Sequence, residues 1–119
     1  MAPKPESFLP LKPDVLFILL ALGDGPAHGY GIIRDVEARS EGEVILQTGA
    51  LYRSLKRLLG ARLIVETSAP PSTDRDDARR RYYRLTALGA AVRVAEIERM
   101  SRLVRSARVA ALGKRPRLA

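Results

Sequence analysis

The segment Val44–Thr67, VILQTGALYRSLKRLLGARLIVET, followed after a polar gap by Arg79–Gly89, RRRYYRLTALG, does most to limit the folds open to this chain. Leu51, Leu55, Leu58 and Leu59 recur at helical spacing, so one side of a helix capped by Thr48 faces a core. At about 100° per residue, the opposite side carries Gly49, Ala50, Arg53, Lys56 and Arg57, with Tyr52 on its flank. No carboxylate interrupts that face. Solvated helix faces normally mix charge signs, whereas a helix that is small at its N-terminus and cationic along one side suits insertion into a DNA groove. Leu63–Val65 reads as a short strand and Tyr82–Leu85 as its antiparallel partner, so the segment predicts helix, hairpin, helix.

The remainder of the chain supplies what such a unit needs. Residues 1–12 form a Pro-rich arm that is expected to be irregular. Pro13 and Asp14 suit the first turn of a helix in which Val15–Leu22 is apolar almost throughout and should be buried on most sides. Gly23, Asp24, Gly25 and Pro26 stop it. A second helix is expected from His28 to Ser40, with Ile32, Ile33 and Val36 inward and Arg34, Asp35 and Glu37 outward. Its early Gly29 and Gly31 cost about 1 kcal/mol each relative to Ala, which points to close packing at that end. Ala69–Asp77 is a loop by composition, Thr86 caps a last helix running to Ala111, and residues 112–119 make a basic tail.

Two apolar stripes run along that last helix. Leu88, Val92 and Ala95 form the first, and Ile97, Met100, Val104, Ala107 and Ala111 form a second, displaced around the axis. The first suits the chain's own domain. The second suits a neighbouring copy, with Val15, Ile18 and Leu19 of the first helix completing the interface. A helix folded back on its own domain is the competing reading, because two heptads fall short of a coiled-coil signature.

Charge and composition remove several classes of function. The formal charge of +8 is unevenly placed: residues 1–52 hold 4 basic and 7 acidic side chains, residues 53–119 hold 17 and 6. A basic second half points to a polyanion, either nucleic acid or an anionic membrane surface. Membrane attachment fits poorly, since the basic residues interleave with a folded hairpin instead of lining an amphipathic anchor. With no cysteine and one histidine, disulfides and thiolate metal sites are excluded, and no metal or other cofactor is expected. Asp74, Asp76 and Asp77 sit in a polar loop and no nucleophile and base can be paired, so the chain does not read as an enzyme. The lack of a signal peptide and of an apolar run of about 18 residues points to the cytoplasm.

The expected architecture is therefore mainly α (α+β): a winged helix-turn-helix over residues 13–86 with a two-stranded wing, and a C-terminal dimerisation helix over residues 87–111. Over about residues 14–92 the chain also resembles the PadR-type transcriptional regulators. The family's His-Gly-Tyr appears as His28, Gly29 and Tyr30, its Gly-Thr-Leu-Tyr as Gly49, Ala50, Leu51 and Tyr52, and its Leu-Lys-Arg-Leu as Leu55, Lys56, Arg57 and Leu58. Its Leu-Ile strand start is Leu63 and Ile64, and its basic-Tyr-Tyr-x-Leu-Thr-x-x-Gly wing is Arg81 through Gly89. Each piece is short, but five in one order at compatible spacing are specific. The single last helix is similar to the shorter branch of that family, whose members are usually homodimeric repressors. Ala50 departs from the family's Thr, Arg53 from a frequent Pro, and Arg62 from a common Gly. With no tryptophan, the aromatic drug sandwich of some multidrug-sensing relatives does not carry over.

Together these readings predict a homodimer on double-stranded DNA with a roughly palindromic operator. Arg53, Lys56 and Arg57 are expected to contact bases or phosphates. Gln47, Thr48, Gly49 and Ala50 bring the helix N-terminus and its free amides against the duplex, with Tyr52 beside them. Arg79, Arg80 and Arg81 at the wing base lie within reach of phosphates or the minor groove. A solvated charge run is the bland alternative for each. Tyr82 and Tyr83 alternate across a strand, which places one in the core and one outside. His28 reads as structural, and Tyr30 and Met100 as packing residues. The resemblance leaves room for a small-molecule effector between the dimer halves, but no residue identifies one. A winged-helix module meeting an acidic protein, without sequence-specific DNA binding, is the alternative function.

Overall fold

The computed structural model describes residues 3–113, in the order α1 (Pro13–Leu22), β1 (Ala27–His28), α2 (Gly29–Arg39), α3 (Thr48–Gly60), β2 (Ile64–Thr67), α4 (Arg75–Ala78), β3 (Tyr82–Leu85) and α5 (Ala87–Gly113). Residues 114–119, most of the expected basic tail, lie outside the described residues. The chain is mostly helical, with a small antiparallel sheet ordered β1-β3-β2. This is the winged helix-turn-helix arrangement, with one strand more than the sequence suggests. A two-residue strand carries no periodicity, so β1 leaves no pattern to read.

α1 occupies the centre. Leu16, Ile18, Leu19, Ala21 and Leu22 are buried, and Ile18 and Leu19, both 0% exposed, join Ile32, Val36, Leu51, Leu55, Ile64 and Val92 in one core. This corrects the assignment of Ile18 and Leu19 to a subunit interface, because the chain's own core takes up both side chains. On a helix apolar on nearly every side, periodicity has no phase, and burial alone decides which face turns inward.

α2 and α3 form the helix-turn-helix, and backbone geometry fixes their ends. The N-cap of α3 is Gln47, one residue earlier than expected, and no side chain caps it. At its other end the Leu63 N–H donates to the Leu58 carbonyl at 3.0 Å and the Arg62 N–H to Leu59 at 3.1 Å, with Arg62 at φ +61°. That is a Schellman turn whose left-handed position holds arginine where glycine is the usual occupant. Leu63 and Leu58, its flanking pair, are both buried.

The wing is the β2–β3 hairpin, in register from Ile64↔Leu85 to Thr67↔Tyr82. β1 pairs with the other edge of β3, setting Ala27 opposite Tyr83 and His28 opposite Tyr82. In consequence both tyrosines are buried, at 5% and 3% exposure, and not one in and one out. The His28 ring meets Tyr82 edge-on at 5.4 Å, covering the side that a two-stranded wing would leave open. Within the expected loop, Arg75–Ala78 closes one helical turn.

Thr86 starts α5 by accepting the Gly89 N–H at 3.0 Å and donating to the Arg62 carbonyl at 2.6 Å. A Cβ on Gly89 would lie 1.9 Å from the Leu63 carbonyl oxygen, so only glycine lets the helix leave the sheet this closely. The N-terminal arm is more ordered than its prolines suggest: Pro5–Phe8 forms a 3-10 turn against α5. The Leu11 N–H donates to the Glu96 carboxylate at 2.7 Å, and Glu96, only 1% exposed, also accepts from Arg99. The Arg99 guanidinium and the Leu11 amide hold its carboxyl below the usual range, against the opposing effect of burial.

Candidate nucleic-acid interface

The leucines of α3 anchor it from behind. Leu51, Leu55 and Leu58 are buried, which turns Arg53, Lys56 and Arg57 outward with Gln47, Thr48, Gly49 and Tyr52. Ala50, half-buried, borders the same face. Among the described residues none of Arg53, Lys56, Arg57 and Arg79 pairs with a carboxylate. The Arg53 guanidinium folds back to within 3.4 Å of where a Gly49 side chain would begin. A full positive charge thus lies beside the first turn, where free amides and the helix dipole already favour an anion.

The second helix meets this face more closely than the sequence reveals. The Tyr52 hydroxyl lies 2.8 Å from the position of a Cβ on Gly29, with Leu51 just behind. That contact explains a glycine in the first turn of α2. The Gly31 N–H donates to His28 Nδ1 at 3.0 Å, but a Cβ on Gly31 would meet that imidazole at an ordinary contact distance of 3.4 Å, so the contact does not require glycine there. Nδ1 accepts only when that nitrogen is unprotonated. Burial, reinforced by Arg80, lowers the His28 pKa below 6.5, with Asp77 opposing, so the cap favours the neutral ring. His28 is structural, as its place at a helix start suggests.

Tyr30 does not pack in the core. It is 54% exposed, stacked at 6.4 Å on the His28 ring, with the guanidinium carbons of Arg34 and Arg80 each 5.7 Å from its centroid. A signal for this lies in the four-residue spacing of Tyr30 and Arg34, which puts them on one face of α2. The other wing arginines divide. Arg79 is exposed, Arg80 is held by Asp77 at 3.1 Å, and Arg81 lies 3.8 Å from Glu66 across the hairpin.

Far from this surface, Val15 and Leu20 of α1 are half-buried, and Ile97, Met100, Val104 and Ala107 of α5 are exposed. Leu16, Leu20, Ile97, Met100 and Val104 line an open groove between the two helices. Met100, 41% exposed, lines this groove and does not belong to the chain's core. Val92 and Leu88 of the earlier stripe pack on the core. No helix among the described residues is long and apolar enough to cross a membrane.

Comparison with known proteins agrees with this geometry. Residues 18–95 match the profile of the transcriptional regulator PadR-like family. A transcriptional regulator from Clostridium thermocellum superposes with a TM-score of 0.63 at 21% identity, covering 80% of this chain and 86% of that one. A PadR family transcription regulator from Clostridium difficile gives 0.59 at 23% identity, covering 80% and 97%. RosR of H. salinarum gives 0.62 at 23% identity, covering 87% and 94%. At these identities the superpositions speak to fold alone. No curated protein matches the sequence.

Proposed function

This chain belongs to the PadR-like family of DNA-binding transcriptional regulators, which are not enzymes, and from that premise we propose that it is a homodimeric, sequence-specific repressor acting on a roughly palindromic operator in the cytoplasm. The observation that carries the reading is the outer face of α3: exposed Arg53, Lys56 and Arg57 without carboxylate partners among the described residues, beside the free amides of the helix start. In the dimer two such helices enter successive major grooves about 34 Å apart, and the wings meet the backbone beside each half-site. The α1–α5 groove supports the dimer, since its apolar lining is exposed in the single chain.

The test is fluorescence anisotropy of the protein on its own upstream DNA and on a scrambled duplex at two salt concentrations. Preference for the native duplex is expected, with log K falling against log salt at a slope of about −5 if about six cations contact phosphate. Weak, salt-insensitive association with both duplexes would favour a protein-interaction module with an acidic partner. Equal but salt-dependent binding would place the operator elsewhere.

A further inference from the structure

We propose that the DNA contact extends from α3 onto α2, through a rung built by Arg34, Tyr30 and Arg80 that clamps the phosphodiester backbone, with Asp77 holding the place of a phosphate when DNA is absent. The inference rests on the DNA-binding reading of α3 and deepens it.

Three observations place the rung. Arg34 and Arg80 come from α2 and the wing base, yet both converge on one exposed phenol ring, each guanidinium 5.7 Å from its centroid. Two like charges sharing one ring repel each other, and an anion between or above them relieves that repulsion. Next, Asp35, the α2 carboxylate beside Arg34 in the chain, is directed elsewhere: it binds Arg39 at 3.0 Å, at the far end of the helix, where Asp24 of the preceding turn joins it at 3.1 Å. Among the described residues Arg34 has no acidic partner, and Arg80 has only Asp77, at 3.1 Å. Finally, the rung adjoins the recognition surface, because Tyr52 of α3 packs on Gly29, the residue before Tyr30. The recognition face of α3 therefore meets α2 one residue from the rung.

A phosphate oxygen accepts from guanidinium groups as a carboxylate oxygen does, so the Asp77–Arg80 pair is a weak, solvent-exposed version of the contact DNA would make. Exchange of one acceptor for the other returns Asp77 to water and transfers Arg80 to the backbone. Phosphate contacts carry no sequence information, so the rung adds affinity to every duplex and leaves the ranking of operators unchanged.

The experiment is anisotropy on the native and scrambled duplexes over a range of salt, with wild type, Arg34→Gln, Asp77→Asn and Arg53→Ala, each checked by thermal unfolding. Arg34→Gln is expected to weaken both duplexes by a similar factor, about 5- to 10-fold at physiological salt, and to flatten the salt slope by about one for each phosphate no longer engaged. Asp77→Asn is expected to tighten both duplexes by about 2- to 5-fold, because Arg80 no longer exchanges partners. A folded Arg34→Gln variant with wild-type affinity and slope, while Arg53→Ala loses binding, would overturn the rung and leave the α3 reading standing. Wild-type protein that shows no salt-dependent binding would overturn both. Loss of preference for the native duplex in Arg34→Gln would replace the backbone clamp with base reading.

Discussion

On α3 the leucines are closed into the chain's own core, Leu51, Leu55 and Leu58 fully and Leu59 in part, and the face left over is cationic. On α5 the same kind of pattern closes only as far as Glu96; beyond it Ile97, Met100, Leu103, Val104 and Val109 stay exposed, and every side chain described from Ser101 onward faces solvent. A helix whose apolar face is satisfied can lend its polar face to a ligand without touching stability. A helix whose apolar face is open has its stability linked to whatever covers it, here by proposal a second copy. Changes on the two helices should therefore have different signatures.

Val104→Asp would break this contrast most severely. A buried charge in the α1–α5 groove is expected to shift the protein from dimer to monomer in sedimentation and to lower operator affinity by on the order of 100-fold. Unchanged sedimentation would mean that the exposed half of α5 has no second copy on it. Arg53→Ala and Arg57→Ala test the other helix: each is expected to cost about 1 to 3 kcal/mol of specific binding, with unfolding within about 0.5 kcal/mol of wild type. Full specificity in both variants would remove these side chains from base reading.

Smaller effects sharpen the account of how α3 is held. Arg62→Gly should raise stability by about 1 kcal/mol in urea denaturation, because the left-handed position at φ +61° suits glycine. A decrease would show that the arginine side chain contributes more than its backbone conformation costs. The smallest effect concerns His28. Its folded pKa lies below 6.5, so the unfolded chain takes up the proton more readily; the stabilisation is complete above that value and is lost as pH falls from it through the lower folded pKa. His28→Asn keeps a capping acceptor that does not titrate, and should flatten the fall in melting temperature between about pH 7.5 and about pH 5.5. An identical fall in both proteins would assign the pH dependence to other groups.

Helix α3, the wing strand Tyr82–Leu85 and the Thr86 cap were legible in the sequence because each rests on local chemistry: a 3.6-residue repeat, a run of aromatic residues that favour strands, a hydroxyl before a helix. What escaped depends on partners distant in the chain. Ile18 and Leu19 lie on a helix apolar all round, so no pattern says which way they point. Tyr82 is covered by a strand of two residues, too short to announce itself. Glu96 reads as a surface carboxylate on a charged helix, and nothing near it in sequence reveals the amide of Leu11. The rung of Tyr30, Arg34 and Arg80 was half legible, since the helical spacing of the first two is local and the approach of the wing is not.

The bond from Leu11 to Glu96 joins positions 85 apart. The arm and the last helix are thereby tied across everything that lies between them, so the two ends of the described fold are coupled and not independent. A loop of that length costs little more entropy than one half as long, by about 0.6 kcal/mol. Loss of the arm would accordingly be felt on α5, where a buried carboxylate would be left with Arg99 and without the Leu11 amide.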